Sequence, residues 1–448
     1  MNENRMTGKP ACEPTRPAVR LRTPERRQMG WVSECLEDLV SEAHPVRMVM
    51  AVVEKLDVSG FCEPIRAREG QAGRDATDPR LLVALWLYAS IRGIGSAREL
   101  ARRCEESAPF RWLCGGVSVN HRLLSDFRTD SGAALDQLLT QVIASLVDQG
   151  LVSVSRISQD GVRVRVSAGA ASFRREERLR KLLAESREHV EQLRQQVDEP
   201  EKMSAATVRK RRAQRRATED RQRRLEQALA QLPELEEQQR ERVERAGQGN
   251  YGQKIREKEI RVSSSDPEAR RMKMPNGGYS PAFNVQLASD PRSRAIVGVE
   301  VSNRGHDSAG LSEPMRQQVE RRSGRKVRQH LLDGGYLRIR DIERAHEQGV
   351  ELFLPAKGAR TAERRGRELE LKRSDSPALR AWKQRMSSAA GKEVYRQRGS
   401  TSETINADLR TYRGLTPLTV RGLHKARCVA LWCALAYNVM HFAAALQR

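Results

Sequence analysis

Two aspartates carry the first chemical signal in the sequence. Asp160 follows the alternating apolar positions Val152, Val154 and Ile157, and Asp333 follows the short run Gln329 to Leu332; each ends an apolar strand and is followed by glycine. An acid at the carboxyl end of a strand is where α/β sheets place their chemistry. Carboxylates are hard oxygen donors, and two or three of them suffice for Mg²⁺, which keeps several of its waters. Two such ions about 3.5–4 Å apart polarise a water or a 3′-hydroxyl and stabilise a leaving oxygen, the arrangement that cuts and rejoins phosphodiesters. The competing reading of Asp-Gly is the tight turn of a β-hairpin. It is weaker at Asp333-Gly334-Gly335, because a helix follows there in place of a returning strand.

The acids need rigid elements to hold them. Alternation over Val152, Val154 and Ile157, then Val162, Val164 and Val166, predicts strands meeting at or near Asp160-Gly161. Strand texture returns at Ala282 to Ala288 and at Ala295 to Val301. A helix is expected over Ser308 to Arg321, with His306-Asp307 at its start; Asp307 is most simply its cap, with an accessory acid as the lesser reading. A strand at Gln329 to Leu332, a helix at Ile339 to Gln348 and a strand at Val350 to Leu354 follow, then an arginine-rich linker from about Gly358 to Ser376. From Tyr395 onward the pattern is helical.

Between the strand blocks, Leu179, Leu183, Ser186, Val190, Leu193 and Val197 fall four and three apart, a short heptad seam. Leu225, Ala228, Leu232 and Leu235 match it on a second limb, and Pro200 lies between, so an antiparallel helical hairpin is expected. The basic run Arg209-Lys210-Arg211-Arg212, with Arg215 and Arg216, reads either as a solvated helix face or as a contact to a nucleic-acid backbone. An antiparallel meander, a helical insertion, then strand–helix–strand with parallel character fits few arrangements. An RNase H-like α/β layer is one of them.

Ahead of the first strand the pattern is helical from Trp31 to about Arg128. Asp78-Pro79 opens a strongly apolar helix that stops at Gly93-Ile94-Gly95, and the capping box Ser96-Ala97-Arg98-Glu99 opens the next. Two helices about a short glycine turn make a helix-turn-helix candidate, with Arg98, Arg102 and Arg103 exposed for phosphate or base contact. Plain helical packing stands beside that reading. The boundaries expected are a disordered basic arm over 1–30, a helical DNA-binding domain over 31–148, a catalytic domain over 149–172 and 248–448, and the inserted hairpin over 173–247.

Composition agrees with a polyanionic partner. Lys and Arg number 81 against 58 Asp and Glu, a net charge of +23, which makes a long-range positive field. The seven cysteines are odd in number, without Cys-x-x-Cys or zinc-ligand spacing, and read as reduced thiols of a cytoplasmic protein. Cys428 to Leu446 is almost wholly apolar, but Asn438 and His441 interrupt it, so a buried core helix is expected and no membrane partner. No Ser/His/Asp order, Gly-rich phosphate loop or His-Glu-x-x-His occurs, which leaves small-molecule hydrolase, nucleotide-dependent and zinc-protease chemistry without support.

Several ordered motifs together resemble a known family. Tyr395-Arg396-Gln397-Arg398, then Glu403, then Arg410 is similar to the Tyr–Arg–Glu–Lys signature of bacterial insertion-sequence DDE transposases (the IS4-like superfamily). Leu332-Asp333-Gly334-Gly335-Tyr336 resembles that family's second-aspartate motif, and Ser158 to Val164 its first. Asp266-Pro267-Glu268-Ala269, Met272-Lys273 and Gly277-Gly278-Tyr279 to Gln286 resemble the stretch before its second strand. Residues from about Pro45 to Arg128 resemble its opening helical domain.

The resemblance implies that Asp160, Asp333 and Glu403 form the catalytic, metal-binding triad, with Mg²⁺ or Mn²⁺ as cofactor. It implies that Tyr395 and Arg398 contact the DNA end, and that the chain acts on element ends and target DNA as a homodimer in the bacterial cytoplasm, at the nucleoid. Two positions depart from the pattern. Arg410 replaces the closing lysine, keeping charge but not geometry, and Asn406 stands where an apolar residue is usual, an amide that fits poorly in a packed face. A decayed copy acting as a non-enzymatic DNA-binding protein is the alternative these departures leave.

Overall fold

The structure is a computed structural model describing residues 33–68, 70, 72, 74–197, 204–247, 249–307, 310–356 and 371–448. The expected arm over 1–30, the turn around Pro200 and most of the arginine-rich linker lie outside these residues.

Six helices open the chain: α1 (Pro45–Lys55), α2 (Pro79–Ile91), α3 (Ala97–Glu106), α4 (Ala108–Cys114), α5 (His121–Asp130) and α6 (Gly132–Asp148). The signals read from sequence operate as expected at α2, where the Asp78 carboxylate accepts from the Arg80 N–H and Pro79 fills the first turn. All residues from Leu81 to Ser90 are buried. At α3 the Ser96 hydroxyl accepts from the Glu99 N–H.

The strands follow. β1 (Arg156–Arg165) leads to β2 (Phe173–Arg174), then to the helices α7 (Glu176–Val197), α8 (Ala205–Ala230), α9 (Leu232–Ala246) and α10 (Asn250–Arg256). Next come β3 (Val262–Ser263), β4 (Arg270–Lys273), β5 (Tyr279–Ser289), β6 (Ile296–Ser302), α11 (Ser312–Ser323), β7 (Gln329–Leu331), α12 (Ile339–Glu347) and β8 (Glu351–Phe353). Three helices close the chain: α13 (Pro377–Ser387), α14 (Ala389–Thr411) and α15 (Leu423–Leu446). The main sheet is mixed, in the order β4-β5-β1-β7-β8 with β6 also on β5. β1, β4, β5 and β6 pair antiparallel, whereas β7 and β8 run parallel to β1.

Two local expectations are corrected. β1 runs unbroken through Asp160-Gly161, paired residue by residue with β5 from Ser158↔Ser289 to Arg165↔Ala282, so no strands meet there. Asp160 is therefore in mid-strand and not at a strand end. Helix α11 starts at Ser312 after Leu311, with no side-chain cap, so Asp307 does not cap it.

Helix α15 is long and apolar enough to cross a membrane by length and composition, but its residues Cys428 to Val439 are buried within the protein. It packs on α2, α5, α6 and β6, so the core is continuous from Val40 to Leu446. The polar residue that interrupts the run has a structural use. Asn438 accepts from the Ile296 N–H (2.9 Å) and donates to the Ile296 carbonyl (2.8 Å), tying the helix to β6. The motif Asp266-Pro267-Glu268 serves the other end of α15: Asp266 accepts from the Gly422 N–H (3.2 Å) and Glu268 from the Leu423 N–H (2.8 Å). Acids at a helix N-terminus satisfy its unpaired donors and its dipole.

Away from this core, α7 and α8 pack through a separate apolar cluster of Leu179, Leu183, Leu225, Ala228 and Leu232. The start of α7 meets the end of α8, so the limbs are antiparallel. Arg209, Lys210, Arg212 and Arg216 are exposed on α8.

Candidate functional site

Strand register brings the two aspartates together. β1 and β7 are parallel neighbours with Ser158 opposite Leu331. Carried on by two residues, the same register puts Asp160 beside Asp333. Residues two apart on a strand share a face, and Ser158 marks which face it is: its Oγ lies 3.0 Å from that of Ser402 on α14. β7 stops at Leu331, and Asp333 opens a short 3₁₀ turn over Gly334–Tyr336, its carboxylate accepting from the Gly334 N–H at 2.6 Å.

Helix α14 covers that face. It buries Thr401, Ser402, Ile405 and Leu409 against the sheet and delivers two polar side chains to Asp160. Arg398 Nη2 donates to Asp160 Oδ1 at 3.0 Å and stands 3.9 Å from Asp333 Oδ2. Asn406 Nδ2 donates to Asp160 Oδ2 at 2.9 Å. Eight residues is slightly more than two helical turns, so Arg398 and Asn406 fall on one side of α14. The amide that suits a packed face poorly thus has a partner there, the other oxygen of the first aspartate.

The electrostatics follow from this crowding. Burial pushes the Asp160 carboxyl above its ordinary pKa; Arg398 and the Gly161 N–H oppose that, while Asp333 and Asp307 add to it. For Arg398 burial works against the charge, yet Asp160, Tyr395, Asp333 and Tyr336 together hold its pKa above the usual value. Side-chain exposure is 16% for Arg398, 21% for Asp160 and 52% for Asp333, so the site opens to solvent on the Asp333 side.

The other residues singled out by sequence are placed less uniformly. Glu403 is on α14 but exposed, and no hydrogen bond or ion pair ties it to either aspartate. It lies about 60° around the helix from Asn406. Among the described residues no three acidic, histidine or cysteine side chains converge as a metal site. Tyr395 is half-buried against the apolar cluster that contains Leu332, Tyr336 and Trp382, and Arg410 is exposed at the end of the same helix. On α3, Arg98, Arg102 and Arg103 are exposed, but Arg102 is paired with Glu99 and Glu106 and Arg103 with Glu99. Local carboxylates therefore neutralise two of the three.

Two family comparisons bear on this geometry. Residues 34–130 match the family described as "Transposase domain (DUF772)", and residues 257–439 match "Transposase DDE domain". The second match contains Asp333, Tyr395, Arg398 and Glu403; the two together span α1 to α5, the strands β3 to β8 and the helix that covers the sheet, while α6 and β1 with Asp160 lie between them. The chain is a DDE-type transposase. No curated protein and no solved structure matches it.

Enzymes of this class act on DNA and generally use divalent metal ions, so the fit of the transposase's residues to such an ion can be asked of the donors themselves. Asp160 and Asp333 offer hard carboxylate oxygens, the ligand type that Mg²⁺ and Mn²⁺ take. A cationic guanidinium already bridges them, which shows that the pair accepts positive charge between its oxygens. The donor set fits. Neither of two surface cavities lies at these acids: one, of about 430 Å³, is lined by Phe173, Arg174, Arg175, Glu177, Arg178, Lys181 and Arg261, and the other lies between α9 and Arg256. The first is a cationic hollow at the root of the α7–α8 pair.

Two residues of this region were singled out by sequence without their contacts being foreseen. Asn406 was legible only as a departure from a pattern, although its spacing from Arg398 places it on the same side of α14. Asp307, expected as a helix cap, packs against Gly161 and Gly335 instead.

Proposed function

We propose that the transposase cleaves the ends of its own insertion sequence and joins the 3′-hydroxyls to target DNA, with Asp160, Asp333 and Glu403 as its acids. The observation that carries this reading is the side-by-side placement of Asp160 on β1 and Asp333 just beyond the end of the adjacent parallel strand β7, bridged by Arg398. The strand order, four antiparallel strands followed by two parallel to the first, supports an RNase H-like catalytic layer over 149–172 and 248–448. On this reading 173–247 is its inserted helical hairpin, and 31–148 the DNA-binding domain. The Tyr395, Arg398 and Glu403 spacing supports the insertion-sequence type with a Tyr–Arg–Glu–Lys signature, Arg410 standing for the lysine.

In this mechanism Asp160 and Asp333 would hold Mg²⁺ or Mn²⁺, with Glu403 as the third acid. The ion when bound supplies Lewis acidity and activation of the attacking hydroxyl. Asn406 fixes the rotamer of Asp160 by its hydrogen bond to Oδ2. Arg398, whose planar fork suits a phosphate, and Tyr395 would contact the DNA end. The exposed cations of α8 and the cationic hollow at its root add backbone affinity. Synapsis of two ends calls for a homodimer, and the nucleoid of a bacterial cytoplasm is where such a substrate is met.

The test is cleavage of labelled duplex carrying the element's own termini, in Mg²⁺ and in EDTA, by the wild type and by Asp160→Ala. Metal-dependent cleavage by the wild type alone supports the proposal; equal cleavage by both removes Asp160 from the mechanism. The exposed position of Glu403, unbonded to either aspartate, favours a second reading, a decayed copy that binds DNA without cutting it. Binding of the termini with no cleavage by either protein would establish that reading.

A further inference from the structure

Behind the sheet, opposite α14, a third carboxylate touches the chain just after each catalytic aspartate. Asp307 Oδ1 accepts from Asn284 Nδ2 (2.8 Å) and from Gln286 Nε2 (2.9 Å), both on β5. A Cβ built on Gly161 would run into Gln286 Nε2 first, and would lie 2.5 Å from that same Asp307 oxygen and 2.7 Å from Asn284 Oδ1. Residue 161 is thus glycine because Gln286, Asp307 and Asn284 together occupy the place of a side chain, not because the backbone turns. On the other flank, a Cβ on Gly335 would stand 3.5 Å from Asp307 Oδ2.

The contact continues as a network. With its Nε2 donating to Asp307, Gln286 is oriented so that its Oε1 accepts from Gln159 Nε2 (2.8 Å) and from the Tyr336 hydroxyl. Gln159, Asn284 and Gln286 are fully buried and Tyr336 nearly so. Gln159 precedes Asp160, and Tyr336 ends the turn that Asp333 begins. Gln286 is satisfied at both ends of its amide, whereas Gln159 Oε1 and Asn284 Oδ1 have no partner among the described residues; a buried polar group satisfied as Gln286 is imposes one arrangement.

We propose that Asp307 is a positioning residue of the transposase: from behind the sheet it locks Gly161, Gln286 and Tyr336, and so holds the turn that presents Asp333 to Asp160. The acceptor oxygen does this, not a direct bond to the ion. The inference rests on the proposed metal-binding role of Asp160 and Asp333 for its consequence, but not for the positioning itself.

Two measurements on the full chain separate these. The first is hydrogen exchange in the peptide spanning residues 331–340, whose Tyr336 and Leu337 amides bond within the turn. In Asp307→Ala this peptide should exchange at least ~10-fold faster with no metal present, because the turn loses its anchor. Asp307→Asn, which keeps an oxygen for both β5 amides, should stay within ~3-fold of wild type. The second is Mn²⁺ titration followed by electron paramagnetic resonance. Asp307→Ala should weaken binding ~10- to 100-fold, as loss of an outer partner of a metal ligand does. Tyr336→Phe, cutting the network at its other end, should act in the same direction, and the double variant should fall short of the sum.

Unchanged exchange in Asp307→Ala overturns the positioning role. Asp307→Asn behaving like Asp307→Ala overturns it too, and makes the charge the active property. If the wild type binds no Mn²⁺ while Asp307→Ala still loosens the turn, positioning stands and the metal reading of Asp160 and Asp333 falls.

Discussion

Arg398→Gln offers the sharpest view of what the site demands. The guanidinium is the cation between two aspartates, 3.0 Å from one and 3.9 Å from the other. Removing one partner of a fully buried pair costs about 3–5 kcal/mol, because the remaining charge is left uncompensated. Here Asp160 keeps about a fifth of its side chain in solvent and Asp333 about half, so we expect a loss of about 2–3 kcal/mol in metal-free buffer. Burial already pushes the Asp160 carboxyl up, and without Arg398 it rises further. On the proposed metal-binding role of Asp160 and Asp333, a divalent ion would supply the missing charge in the folded protein alone and so stabilise it by mass action. It does so more in the variant, where no guanidinium has to be displaced. The assay is urea unfolding followed by tryptophan fluorescence, in EDTA and in millimolar Mg²⁺. We expect the midpoint of Arg398→Gln to fall below wild type in EDTA and to recover most of the gap in Mg²⁺. Equal midpoints in EDTA, or an equal Mg²⁺ shift in both proteins, would refute the reasoning.

Three further outcomes follow from the same geometry. His330 is fully buried on β7 and burial pushes its pKa down to about 3; the unfolded chain therefore binds the extra proton first, and stability falls as pH drops below about 6.5. Between pH 6.5 and 5 this amounts to about 2 kcal/mol, and His330→Leu should flatten the acid limb of urea midpoints by about one proton. Asn438→Leu leaves the Ile296 N–H and carbonyl unpaired in the core and should cost about 2–4 kcal/mol in chemical denaturation. Replacing Arg209, Lys210 and Arg212 by glutamine should lower the slope of log affinity against log salt by about 0.9 for each phosphate no longer neutralised, and an unchanged slope in a filter-binding series would take α8 off the DNA.

Much of the scaffold was legible because its signals are local. Asp78-Pro79 starts α2, the apolar run from Cys428 makes α15, and the alternation at 282–288 and 295–301 makes β5 and β6. Asp333 was found because its strand ends beside it. Asp160 was singled out for a partly mistaken reason: it was read at a strand end, but β1 continues through it, and Gly161 is glycine to admit Gln286, Asp307 and Asn284, residues distant in sequence. Periodicity does not encode such an approach. Asn406 was hidden for a related reason, since its partner lies on another element. The arginines of α3 show the converse, an exposed cationic pattern that Glu99 and Glu106 largely cancel.

The central claim is that Asp333, with Asp160, ligates the divalent ion that transposition chemistry requires. Asp333→Cys tests it directly: the residue is half exposed, so the change is tolerated by the fold, and a thiolate is a poor ligand for Mg²⁺ but a better one for Mn²⁺. With duplex carrying the element's termini, the account predicts no cleavage by Asp333→Cys in Mg²⁺ and restored cleavage in Mn²⁺. Cleavage at wild-type rate in Mg²⁺ would contradict it.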